Sequence, residues 1–438
     1  MKTNKKLFFK LVILVISVSL IILALYTIST RAMGMIESKA FSDVSNANRG
    51  DLTYHLLCKN FTTIDATDFI TKAGKGTTTQ SAQWAISQLG TSKYSVNAYI
   101  IEYVSINSKG EKIPVSGVVL IPEKPDPSAM PLLVYQHATI MSNGKAPSNS
   151  IMESSGQSNT LLGSFATDGY IVAMSDFVGT GQPNCLKYPS EYLVAASEAA
   201  NGVDMLIATE QLLKELKITT NGQLFLSGYS EGGQAVSALA DLIQNDYPQY
   251  PVTAAVFMEG PYNMNTVMNN LLETPGGVIL DDAAVGSLIC AKAIYAYQGI
   301  YNWGSMEMIF NKPYDQRTSK NFSQPNTSMI QLAVDFPKDT SKMFTGSFLT
   351  SAKTGEASTD IAANNTDNWV SKMPVTFLTS SADTLIPGSV TQATYEKMLN
   401  AGGNVTMNYT QFPLNHLQNY LQAIVQSKGI FDGYINNP

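Results

Sequence analysis

The chain has 438 residues, a formal net charge of −6, and a charged fraction of 14%, against roughly 25% in an average soluble protein. Its length suits a large catalytic domain with an insertion. Because no block of Lys or Arg follows the first ten residues, the basic surface that binds phosphates is missing, which argues against a nucleic-acid-binding protein.

Residues 1–30 have the pattern of an export signal. Four lysines among the first ten residues precede an apolar run from Leu11 to Tyr26. The run is intermediate in length between a signal core and a membrane-spanning helix, and no clean cleavage site of small residues follows it. We therefore expect either a signal peptide or a signal anchor formed by residues 7–28, and an exported protein that is secreted or periplasmic.

The next segments predict a mixed sheet. Residues 33–93 are expected to form a partly helical N-terminal arm. Asn97–Ser105 and Pro114–Ile121 flank a polar, Gly-containing turn, which predicts an antiparallel pair of strands. Further β-rich runs, several of them continuously apolar as in central parallel strands, cover 131–136, 169–174, 223–226, 254–258, 374–378 and 405–409.

Helical patterns separate these later strands, at about residues 191–216, 234–243, 390–399 and 417–426. Strands that alternate with helices predict an α/β fold, here with a mixed, mostly parallel sheet of eight strands and helices on both faces. Residues 266–372 break the alternation and are too long for a loop. We expect them to form an inserted, mostly helical cap or lid over the carboxyl ends of the strands, and residues 94–265 and 373–438 to form the core.

A G-x-S-x-G motif lies between a predicted strand and a predicted helix, as Gly228-Tyr229-Ser230-Glu231-Gly232. This context is the nucleophile elbow of α/β-hydrolases, a turn so tight that the residues two before and two after the serine must be small. Gly228 and Gly232 meet that requirement. The motif predicts that Ser230 is a catalytic nucleophile.

A serine hydroxyl needs a base to remove its proton, and the base needs an acid to orient it. The chain has three histidines, and His416 is the one that follows a late strand and opens the last helix. Asp383 follows the end of another strand. The order Ser230, Asp383, His416 is the order of the triad in α/β-hydrolases. We therefore predict these three residues as nucleophile, acid and base.

The loop after the third predicted strand, which contains His137-Ala138-Thr139, has the position of an oxyanion loop. We expect backbone N–H groups of Ala138, Thr139 and Glu231 to form the oxyanion hole. His137 is predicted to anchor this loop rather than to act as the base.

The cysteines Cys58, Cys185 and Cys290 are odd in number, so at least one is unpaired. They are either buried thiols or one disulfide and one free thiol. Their spacing matches no metal motif. We expect neither a metal nor an organic cofactor.

Together the segments YQHAT, DFVGTGQ, SEAANGVDML, GYSEGGQA, EGPYNM, SSADTLIP and LNHLQ, which span residues 135–418, resemble the secretory lipase family of α/β-hydrolases. The resemblance implies hydrolysis of lipid and simpler carboxylic esters, with a small-molecule or lipid ester as substrate. Membrane contact is then expected only through the N-terminal segment or the lipid substrate. Family members usually have Gln where this chain has Glu231, and Gly where it has Ala138.

Two alternatives remain from the sequence. An exported peptidase that removes proline-containing dipeptides can use the same fold and triad, and it would need a buried acid such as Glu231 or Glu259 for the free amine. A non-catalytic, hydrolase-like binding module is the other. Such modules commonly lose a member of the triad, whereas this chain has a candidate for all three.

Overall fold

The computed structural model describes residues 44–436, except 64–67, 69, 73–77, 127–129, 154–155, 274–281, 325 and 338. The predicted export segment, residues 1–30, lies outside the described residues, and so does the beginning of the arm. Among the residues that the structure describes, no helix combines the length and the apolar character needed to span a membrane.

A nine-stranded sheet forms the centre of the fold, in the order β1-β2-β3-β5-β4-β6-β7-β8-β9. The pairs β1–β2, β2–β3 and β3–β5 are antiparallel, and the strands from β5 across to β9 are parallel to one another. The strands are β1 (Leu52–Phe61), β2 (Val96–Ile106), β3 (Lys112–Pro122), β4 (Leu132–Gln136), β5 (Ile171–Ser175), β6 (Leu224–Tyr229), β7 (Val252–Met258), β8 (Val375–Thr379) and β9 (Val405–Tyr409).

All eight predicted strands are present, and the ninth, β1, corrects the predicted strand count. It lies in the segment expected to be a partly helical arm, and it pairs with β2 at the edge of the sheet. Its register shifts twice, and most of its side chains are only half-buried. Because an irregular edge strand faces water along much of its length, the alternation of apolar and polar residues that marks a strand is weak there.

The helices occupy both faces of the sheet, as predicted. They are α1 (Thr79–Leu89), α2 (Pro147–Ser150), α3 (Gln157–Ser164), α4 (Ala195–Glu215), α5 (Glu231–Asp246), α6 (Met264–Glu273), α7 (Asp282–Tyr301), α8 (Met306–Ile309), α9 (Tyr314–Phe322), α10 (Met329–Asp335), α11 (Gly346–Thr354), α12 (Glu356–Ala362), α13 (Gly388–Asn400) and α14 (His416–Asn436). One apolar core joins the sheet to α4, α5 and α13, and a second joins its other face to α3 and α14.

Residues 266–372, the cap segment, contain α7 to α12 and most of α6. A third apolar core is formed mostly by this segment, around Tyr297 and Phe344. The same core includes Leu193, from the loop between β5 and α4, and Ile386, from the loop after β8. Since both loops leave the carboxyl ends of parallel strands, the cap segment packs at the edge where open α/β sheets bind ligands.

The three cysteines are free thiols, which decides between the two alternatives left by the sequence. Cys58 is half-buried, and Cys185 and Cys290 are buried.

Candidate active site

Ser230 lies between the last residue of β6 and the first residue of α5, in a backbone conformation with φ 59° and ψ −120°. This left-handed φ is costly for a residue with a side chain, so the surrounding structure must enforce it. A Cβ atom on Gly228 would lie 2.0 Å from the carbonyl oxygen of Gly232. A Cβ on Gly232 would lie 2.0 Å from the carbonyl oxygen of Gln136. Both glycines are therefore required for the turn that presents Ser230.

The structure brings the three residues predicted as nucleophile, base and acid together. Ser230 Oγ lies 2.8 Å from His416 Nε2, and His416 Nδ1 lies 2.6 Å from Asp383 Oδ2. The second oxygen of Asp383 accepts hydrogen bonds from the backbone N–H groups of Leu385 and Ile386, each at 2.9 Å. These bonds fix the carboxylate toward the ring. All three residues are buried, with Ser230 only 6% exposed.

Opposing effects act on His416. Burial lowers the pKa of its imidazole, but the charge and hydrogen bond of Asp383, assisted by Glu259, outweigh burial and raise the pKa above the usual value. With Nδ1–H donating to Asp383, Nε2 is left as the acceptor for the Ser230 hydroxyl. The arrangement therefore makes His416 a strong base for the Ser230 proton.

Glu259 is a second acid at this histidine, whereas the sequence suggested it only as a partner for an amine. Its Oε2 atom lies 3.4 Å from His416 Nδ1, and its side chain is fully buried. Glu259 directly follows β7, just as Asp383 lies in the loop after β8. The signal that could have identified it is an acidic residue at the end of a parallel strand beside the nucleophile strand.

The ligating atoms of Glu259, Asp383 and His416 lie within 4.8 Å of one another, a spacing that metal sites also show. Here both ring nitrogens of His416 are engaged, one by Ser230 and the other by Asp383. A bound metal would need the lone pair of one of these two ring nitrogens. The donor set therefore fits a proton relay and does not fit a metal centre.

The oxyanion loop differs from the prediction at Ala138. Its N–H donates to Gln157 Oε1 at 2.7 Å, and Gln157 Nε2 donates to its carbonyl oxygen at 2.9 Å. A backbone N–H that already donates a short hydrogen bond is not available to an oxyanion. The Ala138 N–H therefore does not belong to the oxyanion hole. Of the predicted donors, the N–H groups of Glu231, in the first turn of α5, and Thr139 remain.

The Glu231 carboxyl group is buried, and it interacts with Glu198 and the hydroxyl of Thr139. Burial raises the pKa of both carboxyl groups, and the negative charge of Glu231 raises that of Glu198 further. The charge of Lys292 acts in the opposite direction on both carboxyl groups and so offsets part of the cost of burying them side by side.

Lys292 belongs to α7 of the cap segment and is buried. Its Nζ donates to the carbonyl oxygen of Ile140 at 2.7 Å and lies 4.2 Å from the centre of the Tyr192 ring. The Tyr192 hydroxyl in turn lies 2.8 Å from Thr139 Oγ1. One cation of the cap segment therefore contacts the oxyanion loop and balances the carboxyl pair next to Ser230.

Lys292→Met is expected to destabilise the protein by about 3 kcal/mol at pH 8, because it leaves buried negative charge without its cation. Losing that cation raises the folded-state pKa of Glu231 further, so stability should fall as pH rises and the loss should be smaller at pH 5. Urea unfolding at both pH values measures this. The exposed Lys342→Met is the control, expected to change stability by less than about 0.5 kcal/mol. An equal loss at both pH values would contradict the charge balance.

The remaining two histidines do not contact Ser230. His137 lies with Nδ1 2.9 Å from the carbonyl oxygen of Ala138 and Nε2 3.3 Å from that of Asp176. Burial lowers its pKa to about 4, so it is neutral at physiological pH and anchors the loop. His55 lies on β1, where Nε2 is 3.0 Å from Glu215.

Comparison with known proteins identifies the family. The Secretory lipase family model matches residues 148–425, more than half of the chain. No curated protein sequence matches the chain significantly.

Solved structures share the fold. A protein of Legionella pneumophila described as a candidate hydrolase is 21% identical, with a TM-score of 0.78 over 88% of this chain and 98% of that one. The rice cell wall degrading esterase LipA from Xanthomonas oryzae is 22% identical, with a TM-score of 0.75 over 88% and 100%. Candida antarctica lipase A in its closed state is 15% identical, with a TM-score of 0.64 over 90% and 84%. The chain therefore belongs to the secretory lipase family, and it is a carboxylic ester hydrolase with the α/β-hydrolase fold.

Proposed function

We propose that the protein is an exported serine esterase or lipase that works through an acyl-enzyme. The observation that carries the proposal is the hydrogen-bonded chain from Ser230 Oγ through His416 to Asp383, with distances of 2.8 and 2.6 Å. A serine at the tip of a strained turn, bonded to an oriented and strongly basic imidazole, is the arrangement that nucleophilic acyl transfer requires.

The reaction has two stages. Ser230 Oγ attacks the ester carbonyl carbon while His416 Nε2 takes the hydroxyl proton, and Asp383 holds the imidazolium that forms. The N–H groups of Glu231 and Thr139 donate to the oxyanion of the tetrahedral intermediate. His416 gives its proton to the leaving alkoxide, and the C–O bond to the alcohol breaks. Water, deprotonated by His416, then releases the acid from Ser230 by the same steps.

Two observations favour an ester over a peptide with a free amine. The Glu231 carboxyl is occupied by Glu198 and balanced by Lys292. The Glu259 carboxyl accepts hydrogen bonds from the Tyr229 hydroxyl, the Ser380 N–H and the Asn419 amide. Each acid named for the peptidase alternative thus already has buried neighbours that an ammonium group would have to displace. The complete Ser230 relay likewise argues against a non-catalytic binding module.

Export rests on the sequence of residues 1–30, whose basic start and apolar run are those of a signal segment, and on membership of a family described as secretory. Whether cleaved or retained as an anchor, the segment would place the ester hydrolase outside the cytoplasm.

The substrate class can be tested with p-nitrophenyl esters from acetate to palmitate beside a chromogenic proline-containing dipeptide. We expect cleavage of the esters, with a burst of up to one p-nitrophenol per enzyme for esters whose acyl-enzyme forms faster than it is hydrolysed. A serine-reactive phosphonate should abolish the activity, and label Ser230. Faster cleavage of the dipeptide than of every ester would favour the peptidase instead.

A further inference from the structure

Glu259 is a buried acid that the proposed mechanism leaves without a role. It has a φ of 48°, in the left-handed region that residues with side chains rarely adopt. Strain of this kind persists only where the surrounding structure imposes it, and it concentrates at functional positions. The strain turns the residue that follows β7 toward the catalytic histidine.

Burial and the charge of Asp383 raise the pKa of Glu259 to about 7, while its hydrogen bonds and the imidazole of His416 act in the opposite direction and favour the charged form that a partner for an imidazole needs. Oε1 accepts from the Ser380 N–H at 2.8 Å and from Asn419 Nδ2 at 2.5 Å. Oε2 accepts from the Tyr229 hydroxyl and faces His416 Nδ1 at 3.4 Å. Three donors compensate much of the cost of burying a carboxylate.

The titratable groups around the His416 ring come from four elements. Asp383 lies in the loop after β8, Glu259 follows β7, Tyr229 ends β6, and Ser230 lies at the tip of the elbow. The Tyr229 ring lies 5.2 Å from the His416 ring, and its hydroxyl is also 2.5 Å from the His416 carbonyl oxygen. The two carboxylates are the groups that face Nδ1, at 2.6 and 3.4 Å.

We propose that Glu259 is a positioning residue for His416, a second carboxylate at Nδ1 that shares the orientation of the ring with Asp383 and supports the base when Asp383 is removed. The proposal rests on the proposed function in one respect, the role of His416 as the general base. Glu259 touches no reacting atom and acts through the imidazole.

The first test removes Asp383. In a triad with one acid, disrupting the acid costs about 10⁴-fold in kcat. With Glu259 in place, Asp383→Ala should cost only about 10²-fold, because Nδ1–H can turn to Oε2. Asp383→Ala/Glu259→Gln should then fall to the residual rate of Ser230→Ala. An Asp383→Ala enzyme that already has this residual rate would overturn the proposal.

The second test is the pH profile of kcat/KM. A base works in its neutral form, so activity is lost as pH falls through the pKa of His416. Glu259→Gln removes a negative charge and should lower that pKa, which shifts the acidic limb downward by about one pH unit. Glu259→Asp keeps the charge and is the matched control, with a limb near that of the wild type. An unmoved limb in Glu259→Gln would count against the role.

The third test needs no change at Glu259. The chain has three histidines, so histidine-labelled protein gives few ring signals to titrate by NMR. In Asp383→Asn the pKa of His416 should stay above its ordinary value, because Glu259 remains; a pKa at or below that value would overturn the proposal. This measurement uses no substrate. If Ser230→Ala retained esterase activity, the proposed function would fail while the titration still reported on Glu259.

Discussion

Ser230→Ala is expected to lower kcat/KM for a short-chain ester by about 10⁴-fold or more, because it removes the atom that forms the acyl bond. The residual rate comes from binding and from the oxyanion donors, which the change leaves in place. Alanine is hardly smaller than serine, so the fold should be retained. Steady-state kinetics and circular dichroism of the two proteins check both expectations.

The matched control is Ser347→Ala, which changes an exposed serine in α11 of the cap segment and should leave kcat/KM unchanged. If the Ser230→Ala enzyme kept more than about a tenth of the wild-type value, Ser230 would not be the nucleophile. The proposed acyl-enzyme would then have to be given up.

Gly232→Ala is expected to destabilise the protein by about 3 kcal/mol and to abolish most of its activity. The new methyl group would lie 2.0 Å from the carbonyl oxygen of Gln136 and 2.8 Å from that of His137. Both contacts are with backbone at the end of β4, which cannot move aside as a flexible side chain does. Relief requires the elbow and the oxyanion loop to separate, which displaces Ser230 from its donors.

Urea unfolding measures the loss, with Gly429→Ala as the control. Gly429 is exposed in α14, and a Cβ there would meet nothing within 4 Å. Replacing it should stabilise the protein by up to about 1 kcal/mol, since alanine favours a helix over glycine. If the Gly232→Ala protein were as stable as the wild type, the elbow would have room for a methyl group at this position, against the 2.0 Å contact with the Gln136 carbonyl oxygen.

The sequence predicts the parts of the site that depend on local pattern. Ser230 and Asp383 each follow a strand that is itself visible as an apolar run, His416 follows the more polar strand β9, and parallel strands bring their carboxyl ends to one edge. The eight regular strands were predicted from such β-rich runs.

The contacts that escaped prediction depend on tertiary packing. Gln157, 19 positions further along the chain in α3, accepts a hydrogen bond from the N–H of Ala138 in the loop after β4, and no periodicity in the sequence predicts such a bond. Glu259 was visible as an acid, but its approach to His416 depends on a strained backbone angle. The edge strand β1 lacks the clean alternation that a strand buried on one face would show.

Lys292 donates to the Ile140 carbonyl oxygen and interacts through its charge with Glu198 and Glu231, and this bears on how substrate range can change by exchange of caps. A chimera that grafts another cap onto this core without a cation at this place would leave Glu198 and Glu231 with uncompensated charge beside the nucleophile. Caps and cores in such recombinants are thus compatible only in matched pairs. A library that exchanges the cap segment should also vary the residue after Ser230. Gln is the neutral choice at that position when the new cap has no lysine equivalent to Lys292.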